Sequence, residues 1–262
     1  MTLMTATLDV ATPSTDSTAM GRFWTADSQH YSNIVQDELA SFRREVWAER
    51  FRAHLGERSL RILDFGCGPG FFSILLSQLG HQVTGIDIAH GMIREAMENA
   101  RSELLSNWPT FCHCETGLAA FEGERFDVIV SRNVTWTLAD PEGFYREALR
   151  VLAPQGKLII YDANWHLPLF DEAMGERARQ REALCLAQYG STFEPAQIDA
   201  DPIDIHALPL SKVRRPEWDQ RVLRALGFGV TVDETIVDAL WDDKEKLVYG
   251  ETPLFEIVAQ KR

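Results

Sequence analysis

Ile62-Leu63-Asp64-Phe65-Gly66-Cys67-Gly68-Pro69-Gly70 is the stretch that decides how this 262-residue chain is read. A compact strand is expected over 60–65, three glycines follow at alternate positions, and 71–79 comes next as an almost wholly apolar helix stopped by Gly80. A glycine turn between strand and helix lets a ligand come close to the main chain, and the helix N-terminus presents free N–H groups to it. A helix this apolar is expected to be buried on all sides.

Outward from the turn the pattern repeats. Residues 81–86 read as a second strand ending at Asp87, and Met92, Ile93, Ala96, Met97, Ala100 and Leu104 mark an amphipathic helix. Further strands are expected at 111–114, 126–130 and 157–161, with a helix over 144–152 closed by Pro154 and Gly156. Strands alternating with helices predict βαβ units and a parallel sheet. The rhythm breaks over 163–213, a helical piece (about 170–188) followed by an acidic loop, and returns with a helix at 217–226 and strands at 230–235 and 254–259. Upstream, Val35, Leu39, Phe42, Val46, Phe51 and Leu55 predict a single helix over 32–55.

Two cofactor classes use such a glycine turn, dinucleotides and S-adenosylmethionine. A dinucleotide site needs G-x-G-x-x-G/A, whereas here the glycines read G-x-G-x-G and the sixth position is Phe71. Asp64, two residues before the turn, would repel a pyrophosphate but suits a ligand with an amine and a sulfonium. Asp87 is placed to accept hydrogen bonds from a ribose diol.

With these residues in place, the chain resembles the class I S-adenosylmethionine-dependent methyltransferases of the small-molecule type. Residues 62–70 are similar to that family's first motif, and Gly85-Ile86-Asp87-Ile88, with Met92 following, to its ribose-binding strand end. Phe126-Asp127-Val128-Ile129-Val130-Ser131 resembles its fourth-strand motif, and 149–158 the helix, turn and strand beyond. The resemblance implies a doubly wound α/β fold: a seven-stranded, mostly parallel sheet with its last strand antiparallel, helices on both faces and a helical cap. It implies S-adenosyl-L-methionine as cofactor, held by Asp64, Gly66, Cys67, Gly68, Gly70, Asp87, Ile88, Met92 and Ser131. Glu115 would bond the adenine amine, with the Thr116 and Gly117 backbone facing the ring, and Tyr31 would close over the donor.

Methyl transfer from a sulfonium is an in-line displacement, so the protein mainly aligns the acceptor and excludes water. In an open α/β sheet the ligand lies outside the carboxyl ends of the strands. Acceptor candidates are therefore Arg132, Asn133 and Trp136 after the fourth strand and Asn164, Trp165 and His166 after the fifth. Arg132 reads either as a carboxylate clamp or as half of an ion pair, Trp136 as pocket wall or packing, His166 as a general base or a solvated side chain. Asp162 with Asn164 has a faint likeness to metal-dependent catechol methyltransferases, but no third ligand is visible and no metal is expected. Ser131-Arg132-Asn133-Val134 stands where enzymes acting on amide or base nitrogens often carry Asn/Asp-Pro-Pro-aromatic, which takes support from such acceptors.

Composition narrows the partners. A net charge of -13 argues against a nucleic-acid backbone, and no apolar run reaches the roughly 20 residues that span a bilayer. Four cysteines are too few for a disulfide scaffold, so the chain is expected in a reducing, cytoplasmic setting, as a monomer or homodimer. Residues 1–20, rich in Ser and Thr, read as a disordered tail; 21–162 and 214–262 as the donor-binding core with the lid helix 32–55; and 163–213 as a cap over the acceptor. The expected reaction is methylation of an O, N or S atom of a small metabolite. The alternatives are a methyltransferase acting on a protein or RNA, a donor-binding partner subunit without catalysis and, disfavoured by Phe71 and Asp64, a nicotinamide-dependent oxidoreductase.

Overall fold

β1 (Arg61–Phe65) lies between β2 (Gln82–Asp87) and β4 (Phe126–Arg132), both parallel to it. The computed structural model describes residues 18–103, 105–192 and 198–262. They form one seven-stranded sheet that continues on one side to β3 (Thr110–His113) and on the other to β5 (Leu152–Asp162). β7 (Phe255–Gln260) pairs antiparallel with β5 and with the edge strand β6 (Gly229–Asp233), giving the order β3-β2-β1-β4-β5-β7-β6. The strand order reverses between β1 and β4, and a ligand crevice belongs at that reversal.

Side chains alternate across each strand, and each set meets its own helical layer. Ile62, Val128, Val130, Ile159 and Tyr161 face α1 (Ala19–Leu39), α2 (Arg43–Leu55) and α3 (Phe71–Gln78). Trp47 and Phe51 stack there, and both meet Phe72 and Tyr161 edge to face, with the Trp47 and Tyr161 centroids 4.7 Å apart. Leu63, Ile129, Leu158 and Ile160 face α5 (Pro141–Val151) and α7 (Glu217–Ala225) on the other side. Central strands covered on both faces read as unbroken apolar runs, which is why they were visible in the sequence.

Where periodicity predicts one helix over 32–55, the chain forms two. Ser41 breaks it: its hydroxyl donates to Glu38 O and accepts from Arg43 N–H, drawing main-chain groups out of the ladder. The first helix starts earlier than expected, because Thr18 Oγ1 accepts from Gly21 N–H and caps it; Thr18 to Met20 therefore belong to α1 and not to a tail. α5 likewise begins before 144, at Pro141, with Asp140 as its cap. β5 begins at Leu152, earlier than Lys157, with a register shift opposite Phe126 and Val128. In the 163–213 segment the regular piece is α6 (Glu172–Tyr189), capped by Asp171 and ended by left-handed Gly190. The expected tail over 1–17, Leu104 and Phe193 lie outside the described residues.

Candidate active site

The carboxyl ends of β1, β2 and β4 converge on one cavity of about 710 Å³, within the roughly 300–1,000 Å³ of small-ligand sites. At the end of β1 stand Phe65 and Gly66. Gly66 N–H donates to Ile86 O at 2.9 Å, and a Cβ there would lie 2.4 Å from Val134 Cγ2, so only hydrogen fits. Gly68, at φ +52°, has its missing Cβ aimed into open space, with Tyr31 Cε1 the nearest atom at 3.9 Å. That cradle admits a ligand onto the main chain.

Asp87 forms the next wall. Its Oδ2 accepts from Gly68 N–H and its Oδ1 from Ala89 N–H, both at 2.9 Å. A carboxylate takes about four hydrogen bonds, so two remain for a ligand diol. Burial pushes this carboxyl up to about 6, against the pull of those two N–H groups and of His113. From there Cys114 N–H donates to Asp87 O at 2.8 Å, and Glu115, Thr116, Gly117 and Leu118 continue the lining on the β3 side.

Beyond β4 the lining runs through Arg132, Asn133, Val134, Thr137 and Leu138 to Phe144 of α5. Asn133 is left-handed at φ +58°, and its buried side-chain oxygen has no partner among the described residues, so it is open to a ligand donor. A fully buried hub holds this loop. Asp162 at the end of β5 accepts from Trp136 N–H (3.1 Å), Trp165 Nε1–H (3.1 Å), Arg215 Nη1–H (2.8 Å) and the Thr135 hydroxyl. Arg215 in turn grips Asp219, which also accepts from Tyr145 OH. Through this hub the return of the 163–213 segment is tied to the strand ends.

α1 covers the cavity with Thr18, Met20, Trp24 and Tyr31. It rests on α4 (His90–Ser102) through polar contacts. Gly91 N–H donates to Thr25 Oγ1 at 3.0 Å, and Asn99 accepts from Gln36 at 2.8 Å while donating to Pro69 O of the glycine loop at 3.0 Å.

Of the residues read from the sequence, Tyr31, Gly66, Gly68, Asp87, Ile88, Met92, Glu115, Thr116, Gly117, Arg132 and Asn133 line the cavity together. Others do not. Asp64 is 2% exposed and accepts from Ser73 Oγ at 2.7 Å. Cys67 is buried, and Gly70 faces Ala96 of α4. Ser131 lies on the α5 face of the sheet, where its hydroxyl donates to Phe65 O at 3.1 Å. Trp136 donates to Asn133 O at 3.0 Å and packs on His166, ring centroids 4.7 Å apart. Burial pushes the His166 pKa below its ordinary value, and the lining of this cavity does not include it. Asn164 is occupied by the Arg215 main chain at 2.7 and 2.9 Å, and Trp165 packs on Tyr249. From 163–213, Leu208 alone among the described residues lines the cavity. Sequence reasoning missed the lid residues Thr18, Met20 and Trp24, although Trp24, Tyr31 and Val35 already stand at helical spacing.

A family model for a methyltransferase domain matches residues 57–219, more than half of the chain. Over 157 residues the chain is 32% identical to the ubiquinone biosynthesis O-methyltransferase of Caulobacter sp. (strain K31), covering 58% of this chain and 56% of that protein. Over 138 residues it is 33% identical to the tRNA 5-carboxymethoxyuridine methyltransferase of Escherichia coli (strain K12), covering 51% and 53%. The chain spans about half the length of the curated relatives it matches. A SAM-dependent methyltransferase from Methanosarcina mazei superposes with a TM-score of 0.53 at 26% identity, covering 81% of this chain and 96% of that one. One relative is named for ubiquinone biosynthesis and the other for a tRNA uridine, so likeness leaves the acceptor class open.

Proposed function

Starting from the premise that this chain belongs to the class I S-adenosylmethionine-dependent methyltransferases, we propose that it methylates a small molecule held in the cavity beneath α1. One observation carries this reading: a single half-open cavity of about 710 Å³ joins the glycine cradle to the β4–α5 loop, with Met20, Trp24 and Leu208 in its wall. A cavity of this size suits a small acceptor, and a net charge of -13 gives no support to a polyanionic one. No described helix is long and apolar enough to cross a membrane.

S-adenosylmethionine, when bound, supplies a methyl group on a sulfonium, already activated toward nucleophiles. The chain's residues have the remaining tasks. Gly66 and Gly68 let the donor lie against the main chain, and Asp87 offers its two open lone-pair positions to the ribose. The Glu115–Leu118 stretch faces the adenine, with Glu115 accepting from its amine. Val134, Leu138, Trp24 and Met20 keep water from the displacement. The described lining contains neither His nor Lys, so a proton released by a hydroxyl or ammonium acceptor passes to a lining carboxylate or to water. The test is labelled donor offered in parallel to a small-molecule extract and to total RNA at physiological salt. Label in the small-molecule fraction is expected; label in RNA alone overturns the proposal.

A further inference from the structure

We infer that the acceptor is an aromatic molecule that brings no carboxylate into the chamber. The inference rests on the methyl-transfer reading and names the substrate class of that same site. Away from the glycine loop the cavity is walled by Val134, Leu138, Ala139, Leu208, Met20 and Trp24. Three ionised side chains stand among them: Asp140 and Glu147 keep 72% and 39% of their side-chain surface exposed, whereas Arg132, the one cation of the described lining, is paired inside the protein. Arg132 Nη1 donates to Glu38 Oε1 at 2.7 Å, and its guanidinium lies 4.7 and 4.8 Å from the ring centroids of Phe71 and Phe72. The two partners keep only 15% and 12% of their side-chain surface exposed, so this pair is not readily exchanged for a ligand. Asp140 accepts from Gly143 N–H at 2.8 Å as the cap of α5 and stands 3.8 Å from Arg146. Glu147 accepts from Arg150 at 2.6 and 2.9 Å.

Among the described lining residues the remaining carboxylates, Asp87 and Glu115, lie on the donor side. An anionic acceptor would therefore leave water for a space whose cation is taken. Burying an unmatched charge is costly. A neutral ring meets no such penalty and finds Trp24 and Tyr31, set edge to face with centroids 6.1 Å apart, to pack against.

The experiment is calorimetry on the full chain, first titrated with the demethylated donor product and then with 1-naphthol or 1-naphthoate. Naphthol is expected to bind about tenfold or more tightly than naphthoate, the difference an unmatched buried charge imposes. In Glu38→Gln the new amide still accepts from Trp47 Nε1–H while Arg132 loses its partner ion, so naphthoate should gain about tenfold and naphthol should not change. Naphthoate binding as tightly as naphthol to the parent protein, or no probe binding at all, overturns the inference. If the donor product itself fails to bind, the methyltransferase reading falls too; if it binds and naphthol shows no preference, only the acceptor class is wrong.

Discussion

The main-chain N–H of Gly68 donates to Oδ2 of Asp87 at 2.9 Å, so the glycine loop and the end of β2 form one binding unit. Asp87→Ala therefore removes a ligand acceptor and frees the loop together. Charge-assisted hydrogen bonds contribute about 1.5–3 kcal/mol, so donor binding should weaken by roughly ten- to a hundredfold. Calorimetry reads this directly, and an unchanged Kd in a folded variant would remove Asp87 from the site.

Two neighbouring glycines should fail in different ways. Gly68→Val places a branched side chain in the open cradle under Tyr31, at a left-handed φ that costs it about 1–2 kcal/mol. The protein should stay folded and lose measurable donor binding. Gly66→Ala drives a methyl into Val134 and should lower the melting temperature. Normal donor binding by Gly68→Val would refute the placement of the cradle.

Asp64 and Asp87 are both pushed up to about 6, chiefly by burial. A carboxyl that holds its proton more tightly in the folded chain than in the unfolded one stabilises the fold fully below about pH 4. That contribution is lost as pH rises through about 6. Asp64→Asn keeps an oxygen for the Ser73 hydroxyl and has no charge to bury. Relative to the parent it should be about 1–2 kcal/mol more stable at pH 8 than at pH 4. Urea denaturation at both pH values checks this, and an equal difference at the two would sink it.

Arg215 is fully buried between Asp162 and Asp219. Arg215→Met keeps much of its volume and leaves two carboxylates without their cation, which costs about 3–5 kcal/mol. The melting temperature should fall sharply, more than for Arg146→Met, whose guanidinium is exposed and only 3.8 Å from its partner at best. Equal effects from the two would mean the hub contributes no more than a surface pair.

The parallel core and the glycine-loop side of the cavity were legible because their signals are local. Runs such as 60–65 and 126–130 are mostly apolar, and Gly66 and Gly68 stand at tight points of the turn that follows the first. The acceptor half was hidden for two physical reasons. α1 meets α4 through Thr25, Ser32 and Gln36, so its contact face carries hydrogen-bonding residues and gives no apolar stripe. The hub joins residues far apart in sequence, such as Thr135 with Arg215 and Asn164 with Arg215, and nothing local marks those pairs. Strand parity also misled: Ser131 matches a family motif but falls on the α5 side, while its neighbour Arg132 turns toward α1.

The lid is the last of these consequences. The 163–213 segment is expected from sequence to cap the acceptor, yet Leu208 is its contribution to the described lining, while α1 supplies Thr18, Met20, Trp24 and Tyr31. α6 turns elsewhere: Met174, Gly175 and Cys185 are its buried residues, and its ion partner Glu251 holds Arg177 and Arg181 on the far flank. The polar seam between α1 and α4 also reaches the donor, since Asn99 bonds both Gln36 of α1 and Pro69 of the glycine loop. Occupying the loop should therefore steady α1. Hydrogen exchange with the donor product added should show increased protection over 18–39 and little change over 172–189, because a lid held by a few polar contacts opens more cheaply than the core. Protection appearing over 172–189 with none over 18–39 would return the lid to the inserted segment.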